Sequence, residues 1–239
     1  MNNTPPVTKN LIIINILCFF AAIVGKQYGM DLNDILGLHY FESEKFRLYQ
    51  LFTYMFMHAG FEHIFFNMFA VWMFGRILEV VWGSQRFLFY YILCGIGAGL
   101  VQEVTQYVEY IPLMADAAQF AAYPADTVIP INGTSRTASA WLAICQQIIS
   151  VPTVGASGAV YAILMAFAML FPNQEMFIIP LPMPIKAKWL IIGYFVLEIG
   201  LGLIAKDGIA HFAHLGGMIF GFLLIMYWKK KGTLHGRYF

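Results

Sequence analysis

Long apolar stretches alternate with shorter polar stretches along this chain. Six apolar runs lie near residues 11–25, 60–82, 86–107, 156–172, 187–205 and 208–228. A helix rises 1.5 Å per residue and needs about 20 residues to cross the hydrocarbon layer of a bilayer. The pattern therefore predicts an all-α integral membrane protein, with six transmembrane helices bundled in one domain over residues 1–239.

The first run, residues 11–25, is short for a span and suits the core of a signal peptide equally well. Only Lys9 supplies a positive charge ahead of it, and the exit at Val24-Gly25-Lys26 lacks a clear cleavage site of small residues. We therefore expect a retained helix.

Composition supports the membrane assignment. Hydrophobic residues make up 60% of the chain and charged residues 11%, against about 25% charged in a typical soluble domain. A net charge of +1 without a basic stripe argues against a nucleic-acid partner. The three cysteines, Cys18, Cys94 and Cys145, lie in apolar stretches without metal-ligand spacing, so we expect them to pack as small core residues.

Basic residues near the ends of the runs indicate an orientation. Lys186 and Lys188 precede the fifth run, Arg86 opens the third, and Lys229 and Lys230 follow the last. Six crossings put these positions on one side, which the positive-inside rule makes cytoplasmic. Other cations weaken the bias because they fall on the opposite side, namely Lys26, Lys45, Arg47, Arg136 and Lys206. We expect a multi-pass protein of a bacterial-type inner membrane with both termini in the cytoplasm.

Two long segments are not apolar enough to span. Residues 29–57 mix charges, aromatics and short apolar turns, which is typical of a membrane-associated outer loop. Residues 107–154 contain several prolines and an apolar patch at 138–149 that is too short to cross and return. We expect that patch to lie in the membrane interface or to be partly inserted in the membrane.

A few polar side chains interrupt the runs, and each is expensive in hydrocarbon unless it faces the bundle interior or a water-filled cavity. Counted from the outer ends of their runs, Ser157, His214 and the pair His63 and Asn67 fall within about two turns of one surface. This shared depth predicts a site near the outer face. The polar set is His63, Asn67, Glu79, Ser157, Tyr161, Glu198, His211 and His214.

Ser157 and His214 are the candidate nucleophile and base, since a serine needs a base to become nucleophilic. Gly155 and Gly158 flank the serine at a loop-to-helix turn, where helix N–H groups favour a developing oxyanion. The alternative is that these small residues only pack helices together.

Gly217 and Gly221 share a helix face one turn below His214, and they predict close contact with the Gly158 and Ala162 face. Tyr161 is placed to stack on His214 or to serve as filler. His211 is the rival base; its expected greater exposure makes it the weaker candidate.

His63 and Asn67 lie on one helix face at a spacing of four residues. Two donors that face a serine would form an oxyanion hole; the alternative is a helix–helix hydrogen bond. A metal site made of His58, His63, His211 and His214 was also considered. It is disfavoured because no HExxH motif is present, and we expect neither metal nor cofactor.

These motifs together resemble the rhomboid intramembrane serine proteases over about residues 52–221. The resemblance is carried by His58 with His63-x-x-x-Asn67, by Gly75, Glu79 and Gly83-Ser84, by Gly155-x-Ser157-Gly158 with Tyr161, and by Ala213-His214-x-x-Gly217-x-x-x-Gly221. It implies a six-helix core and a Ser157–His214 dyad without an acidic third member. It also implies an oxyanion hole of His63, Asn67 and the Ser157 N–H, a structural role for Glu79, and single-pass membrane proteins as substrates.

The chain departs from the family pattern where Tyr49-Gln50 replaces a frequent Trp-Arg pair, so no role for that arginine is carried over. Two other functions have a sequence signature that can be compared with this chain. A rhomboid-like protein that binds transmembrane helices without cutting them would be expected to lack the serine or the histidine. A transporter is disfavoured because no internal repeat is found. The oligomeric state has no sequence signal.

Overall fold

The computed structural model describes residues 4–131, 133–176, 183–204 and 210–234, and for residues 110–119 it describes the helix alone. The predicted end of the fifth run, residue 205, and the predicted start of the sixth run, residues 208–209, lie outside these ranges.

The chain folds mainly into helices. In order they are α1 (Pro6–Gln27), α2 (Leu32–Leu36), α3 (Gln50–Thr53) with a 3₁₀ turn (Tyr54–Phe56), α4 (Phe61–Ala70), a π-helical segment (Val71–Gly75), α5 (Arg76–Trp82), α6 (Ser84–Ala122), α7 (Ala138–Ser150), α8 (Ser157–Leu170), α9 (Ala187–Ile204) and α10 (His211–Lys230). Strands β1 (Val128–Ile131) and β2 (Thr134–Thr137) form one antiparallel hairpin, and β3 (Glu175–Met176) and β4 (Ile185–Lys186) form another.

Among the described residues, five helices are long and apolar enough to cross a membrane: α1, the continuous α4–α5 unit, the first part of α6, α9 and α10. Helix α8 has 14 residues, about 21 Å, and is shorter than a usual span. The predicted helical, multi-pass architecture is therefore present, while six crossings stay a prediction.

Helix α6 does not end near residue 107, where the apolar run ends, but continues to Ala122. The predicted span and the helix therefore end at different places, because hydropathy marks where a span ends and not where a helix ends. Alanine is frequent between residues 115 and 122, and it is the best helix former.

Helix α8 occupies the centre of the bundle, and nine of its 14 residues are buried. Helix α10 packs on it through glycines. A Cβ at Gly217 would overlap the Gly158 carbonyl group, and one at Gly221 would lie 3.3 Å from the Ala162 Cα. This is the contact that the glycine spacing predicted, and it brings the first turns of α8 and α10 side by side.

Glu79 joins the start of α1 to the end of α5. Its carboxylate accepts the backbone N–H groups of Val7 and Thr8 at 2.9 and 2.7 Å and the hydroxyls of Thr8 and Ser84 at 2.7 Å each. The first N–H groups of a helix have no partner within it, so a carboxylate here satisfies them and complements the helix dipole. The structural role implied for Glu79 is present.

Gln50 organises the loop between α1 and α4. It is 1% exposed, its Oε1 accepts the His39 and Arg47 N–H groups, and its Nε2 donates to the Ile35 and Lys45 carbonyl groups. Four backbone groups of the loop are thus bonded by one neutral side chain. Gln50 therefore has a structural role in this loop, at the position where Tyr49-Gln50 departs from the family pattern.

A second, smaller core lies beside the bundle, where α7 and the β1–β2 hairpin meet the extended end of α6. Its buried members are Tyr40, Phe120, Trp141 and Cys145. The Trp141 indole N–H donates to the Ile129 carbonyl oxygen at 2.9 Å. The apolar patch predicted at residues 138–149 thus forms α7 and packs against protein through this face.

Candidate active site

Ser157 begins helix α8 directly after a strained turn. Gly155 has a φ of +129°, which L side chains rarely adopt, and its N–H donates to the Tyr54 carbonyl oxygen at 2.9 Å. Ser157 is partly exposed whereas Ala156 and Gly158 on either side are buried. Because the first N–H groups of a helix lack intrahelical acceptors, the Ser157 N–H is available to an incoming group.

His214 faces Ser157 across the α8–α10 contact. Its Nε2 lies 2.8 Å from the Ser157 Oγ. The Tyr161 ring, one turn after Ser157, stacks on the imidazole with centroids 4.3 Å apart and planes 11° apart. The serine, histidine and tyrosine are thus brought together in one partly buried cluster.

His63 approaches Ser157 from α4. A Cβ built on Gly155 would lie 2.6 Å from the His63 Nε2, so the imidazole edge reaches the turn that presents the serine. The Ala59 N–H donates to the His63 Nδ1 at 3.5 Å, which leaves the hydrogen on Nε2. The edge that faces the site is therefore a hydrogen-bond donor.

Asn67 lies one turn below His63 and is 5% exposed. Among the described residues, its Nδ2 is buried without a hydrogen-bond partner. A buried amide that lacks a partner costs free energy, so it fits a place where a ligand or an intermediate is bound.

His58 lies beside His63, with ring centroids 5.0 Å apart, and is 2% exposed. Burial, assisted by the neighbouring His63, lowers the pKa of His58 to about 3. The ring is therefore neutral near pH 7 and packs beside His63 without adding a charge.

Glu198 also belongs to this cluster, which the dyad pattern did not imply. The Tyr161 hydroxyl donates to its Oε1, while its Oε2 lies 2.6 Å from the His211 Nδ1 and 3.2 Å from the His214 Nδ1. Glu198 is 4% exposed. The depth of Glu198 is the sequence signal that could have identified it, because the residue is only about 9 Å from the C-terminal end of α9 at 1.5 Å per residue.

The expectation that His211 is more exposed than His214 was wrong. The two residues are 5% and 8% exposed, because α9 covers the first turn of α10. What separates them is geometry. The His211 ring stands at 87° to the His214 ring, and its Nδ1 contacts Glu198. His214 alone of the two is hydrogen-bonded to Ser157 within the described residues.

Three potential metal-ligand atoms, from Glu198, His211 and His214, lie within 4.8 Å of one another. This set differs from the four histidines that the sequence offers as metal ligands, since it contains neither His58 nor His63. The His211–Glu198 hydrogen bond and the His214–Glu198 contact account for the close approach of these atoms.

A family model of the rhomboid domain matches residues 45–231 of this chain. The chain belongs to the rhomboid family. It is thus a multi-pass membrane protein of a family of intramembrane proteases, and the matched region contains Ser157, His214, His63 and Asn67.

Similar rhomboid proteins come from plants, bacteria and fungi. RHOMBOID-like protein 12, mitochondrial, of Arabidopsis thaliana is 29% identical over 88% of this chain and 55% of its own length. Rhomboid protease GluP of Bacillus subtilis is 25% identical over 92% of this chain and 34% of its own length. Rhomboid protein 1, mitochondrial, of Saccharomyces cerevisiae is 27% identical over 73% of this chain and 40% of its own length. The chain thus spans about half or less of the length of these relatives.

Proposed function

We propose that this rhomboid is an intramembrane serine endopeptidase that cleaves transmembrane segments of single-pass membrane proteins. The observation that carries the proposal is the 2.8 Å approach of the Ser157 Oγ to the His214 Nε2, with Tyr161 stacked on the imidazole. A serine hydrogen-bonded to an oriented base is the arrangement that acyl transfer requires.

In the first step the Ser157 hydroxyl donates its proton to the His214 Nε2, and Oγ attacks the scissile carbonyl carbon. The resulting imidazolium returns the proton to the leaving amine as the C–N bond breaks, which leaves an acyl-enzyme. A water molecule then repeats the sequence, gives its proton to His214 and releases the carboxyl product as Oγ takes the proton back.

The tetrahedral intermediate places negative charge on the former carbonyl oxygen, and three donors are available to bind it. These are the His63 Nε2–H beside Gly155, the unpartnered Asn67 Nδ2 and the Ser157 N–H at the start of α8. Donors preorganised in a low-dielectric site stabilise such charge without reorganisation. No step in this scheme uses a metal or a cofactor.

Substrate chemistry follows from the position of the site. The carbonyl groups of a transmembrane helix are hydrogen-bonded internally and closed to attack, so the segment must unwind at the scissile bond. Small or helix-destabilising residues near the end of a span lower that cost. We assign the site to the outer face and both termini to the cytoplasm of a bacterial-type membrane, on the basic-residue pattern.

The test is cleavage of a labelled single-span substrate by purified protein in liposomes. Wild type should cut, and Ser157→Ala and His214→Ala should not. Ser150→Ala is the matched control and should retain activity, since among the described residues this α7 serine donates only to the Gln146 carbonyl of its own helix. Cleavage by Ser157→Ala at the wild-type rate would refute the mechanism. Substrate binding without cleavage by wild type would instead identify a non-catalytic binding protein.

A further inference from the structure

Helix α9 is largely apolar and contains a buried carboxylate, Glu198. Its buried residues are Ala187, Ile191 and Glu198, and most of the rest of the helix faces outward. An ionisable side chain in this position is costly unless it is paired, so a functional reason is expected for it.

Glu198 lies behind His214, on the side of the ring opposite Ser157. Its Oε2 is 3.2 Å from the His214 Nδ1, while the His214 Nε2 is 2.8 Å from the Ser157 Oγ. A carboxylate at Nδ1 favours the tautomer with the hydrogen on that nitrogen, and this tautomer leaves the Nε2 lone pair directed at the serine. When His214 takes the serine proton, the new cation lies next to an anion.

Two further contacts fix the carboxylate itself. The Tyr161 hydroxyl donates to the Oε1, and His211 contacts the Oε2 at 2.6 Å. The Tyr161 ring also stacks on the His214 imidazole. Glu198 therefore contacts the edge of the imidazole directly and, through the Tyr161 hydroxyl, positions the ring that packs on its face.

The Glu198–His214 contact is at ion-pair distance but is not an aligned hydrogen bond in this resting arrangement. The attraction therefore grows mainly when His214 becomes charged during the reaction. A residue that acts in this way changes the rate of the chemical step more than substrate binding.

We propose that Glu198 is a third, acidic member of the site, a positioning residue that orients His214 and stabilises its charged form. The inference rests on the proposed function, because it concerns how the base of that reaction is held. It differs from the two-member site that the family resemblance implies.

The first test compares kcat and KM of Glu198→Gln with those of wild type in the liposome assay. We expect kcat to fall about 10- to 100-fold with KM within about twofold. This is less than the ~10⁴-fold loss for an aligned triad acid, because the contact is not aligned. Glu198→Asp, which retains the charge, should recover most of the rate.

Two control variants separate positioning from structure. Glu103→Gln replaces another buried glutamate, which lies on α6 and accepts the Phe41 N–H at 2.8 Å. This variant should leave kcat unchanged. His211→Gln removes one of the two further partners of Glu198, leaves the Tyr161 contact, and should reduce kcat by less than about threefold. If His211→Gln lost as much as Glu198→Gln, or if Glu198→Gln matched wild type, the proposal would be overturned. Cleavage by wild type in the same assay tests the proposed function, and it can succeed whether or not Glu198→Gln loses activity.

A second test does not use Glu198→Gln and so remains valid if that variant misfolds. Nitrogen-15 NMR of histidine-labelled protein at neutral pH, with His214 assigned by its absence in His214→Asn, reports which ring nitrogen holds the hydrogen. We expect a hydrogen on Nδ1 and a bare Nε2. A neutral His214 with its hydrogen on Nε2 would overturn the proposal.

Discussion

The Gly217→Ala substitution tests whether the site depends on the close approach of α8 and α10. The added Cβ would lie 2.7 Å from the Gly158 carbonyl carbon, 3.2 Å from its Cα and closer still to its oxygen. All three are backbone atoms of the residue directly after Ser157, so no side-chain rotation can relieve the overlap. The helices must move apart.

The size of the effect follows from these distances. Restoring ordinary carbon contact, near 3.5 Å, requires a separation of about 1 Å at Gly217. His214 is one turn from Gly217 on the same helix, so its 2.8 Å contact with Ser157 opens by a similar amount. A misplacement of about 1 Å costs on the order of 10²-fold in rate, and overpacking costs about 1–3 kcal/mol of stability.

The assay is single-span substrate cleavage in liposomes, with the free energy of unfolding measured by detergent titration. Gly217→Ala should keep its helical content and lose about 100-fold in kcat. The matched control is Gly200→Ala on α9, where a Cβ meets nothing within 4 Å and the rate should not change. Equal activity of Gly217→Ala and wild type would refute the argument that helix spacing sets the serine–histidine distance.

Three further predictions address single side chains. Asn67→Ala should lower kcat about 10²- to 10³-fold with little change in KM, because it removes an oxyanion donor; a change in KM alone would contradict this role. Glu79→Gln should lower the free energy of unfolding by about 1–3 kcal/mol, since an amide cannot accept from all four donors, three at the start of α1 and one the Ser84 hydroxyl. His58 keeps a pKa of about 3 in the folded state against 6.5 when unfolded, so the free energy of unfolding should fall as the pH drops from about 6.5 toward 3. His58→Gln should flatten that slope in acid titrations followed by circular dichroism, and an unchanged slope would exclude His58 as its source.

The sequence predicted the helical architecture and the residues that meet at the site because hydrocarbon makes polar positions informative. Ser157, His214, His63 and Asn67 share one depth in their apolar runs, and their chemistry and the rhomboid resemblance then gave each an expected role. Gly217 and Gly221 then predicted which two helices touch, since only a glycine face allows backbone contact.

Depth could not reveal everything, because it fixes one coordinate and leaves rotation about each helix free. Glu198 had the right depth, but whether its side chain faced the bundle or lipid depended on the packing of α9. The tautomer of His63 was likewise inaccessible, since it is set by the Ala59 N–H in the turn before α4. Hydropathy predicted the span within α6 and gave no information on the continuation of the helix to Ala122, because helix formation outside the membrane depends on helix propensity and packing.

The choice between the two histidines of α10 illustrates the same limit. The sequence favours His214 because His211 lies nearer the helix end and is expected to be more exposed. In the structure both residues are buried. The actual distinction is the direction of the ring nitrogens, which follows from a carboxylate on a neighbouring helix. His211 holds Glu198 by its Nδ1, and His214 is left with Glu198 on one side and Ser157 on the other. The proposed base is therefore distinguished by its partners on two other helices, which exposure alone does not reveal.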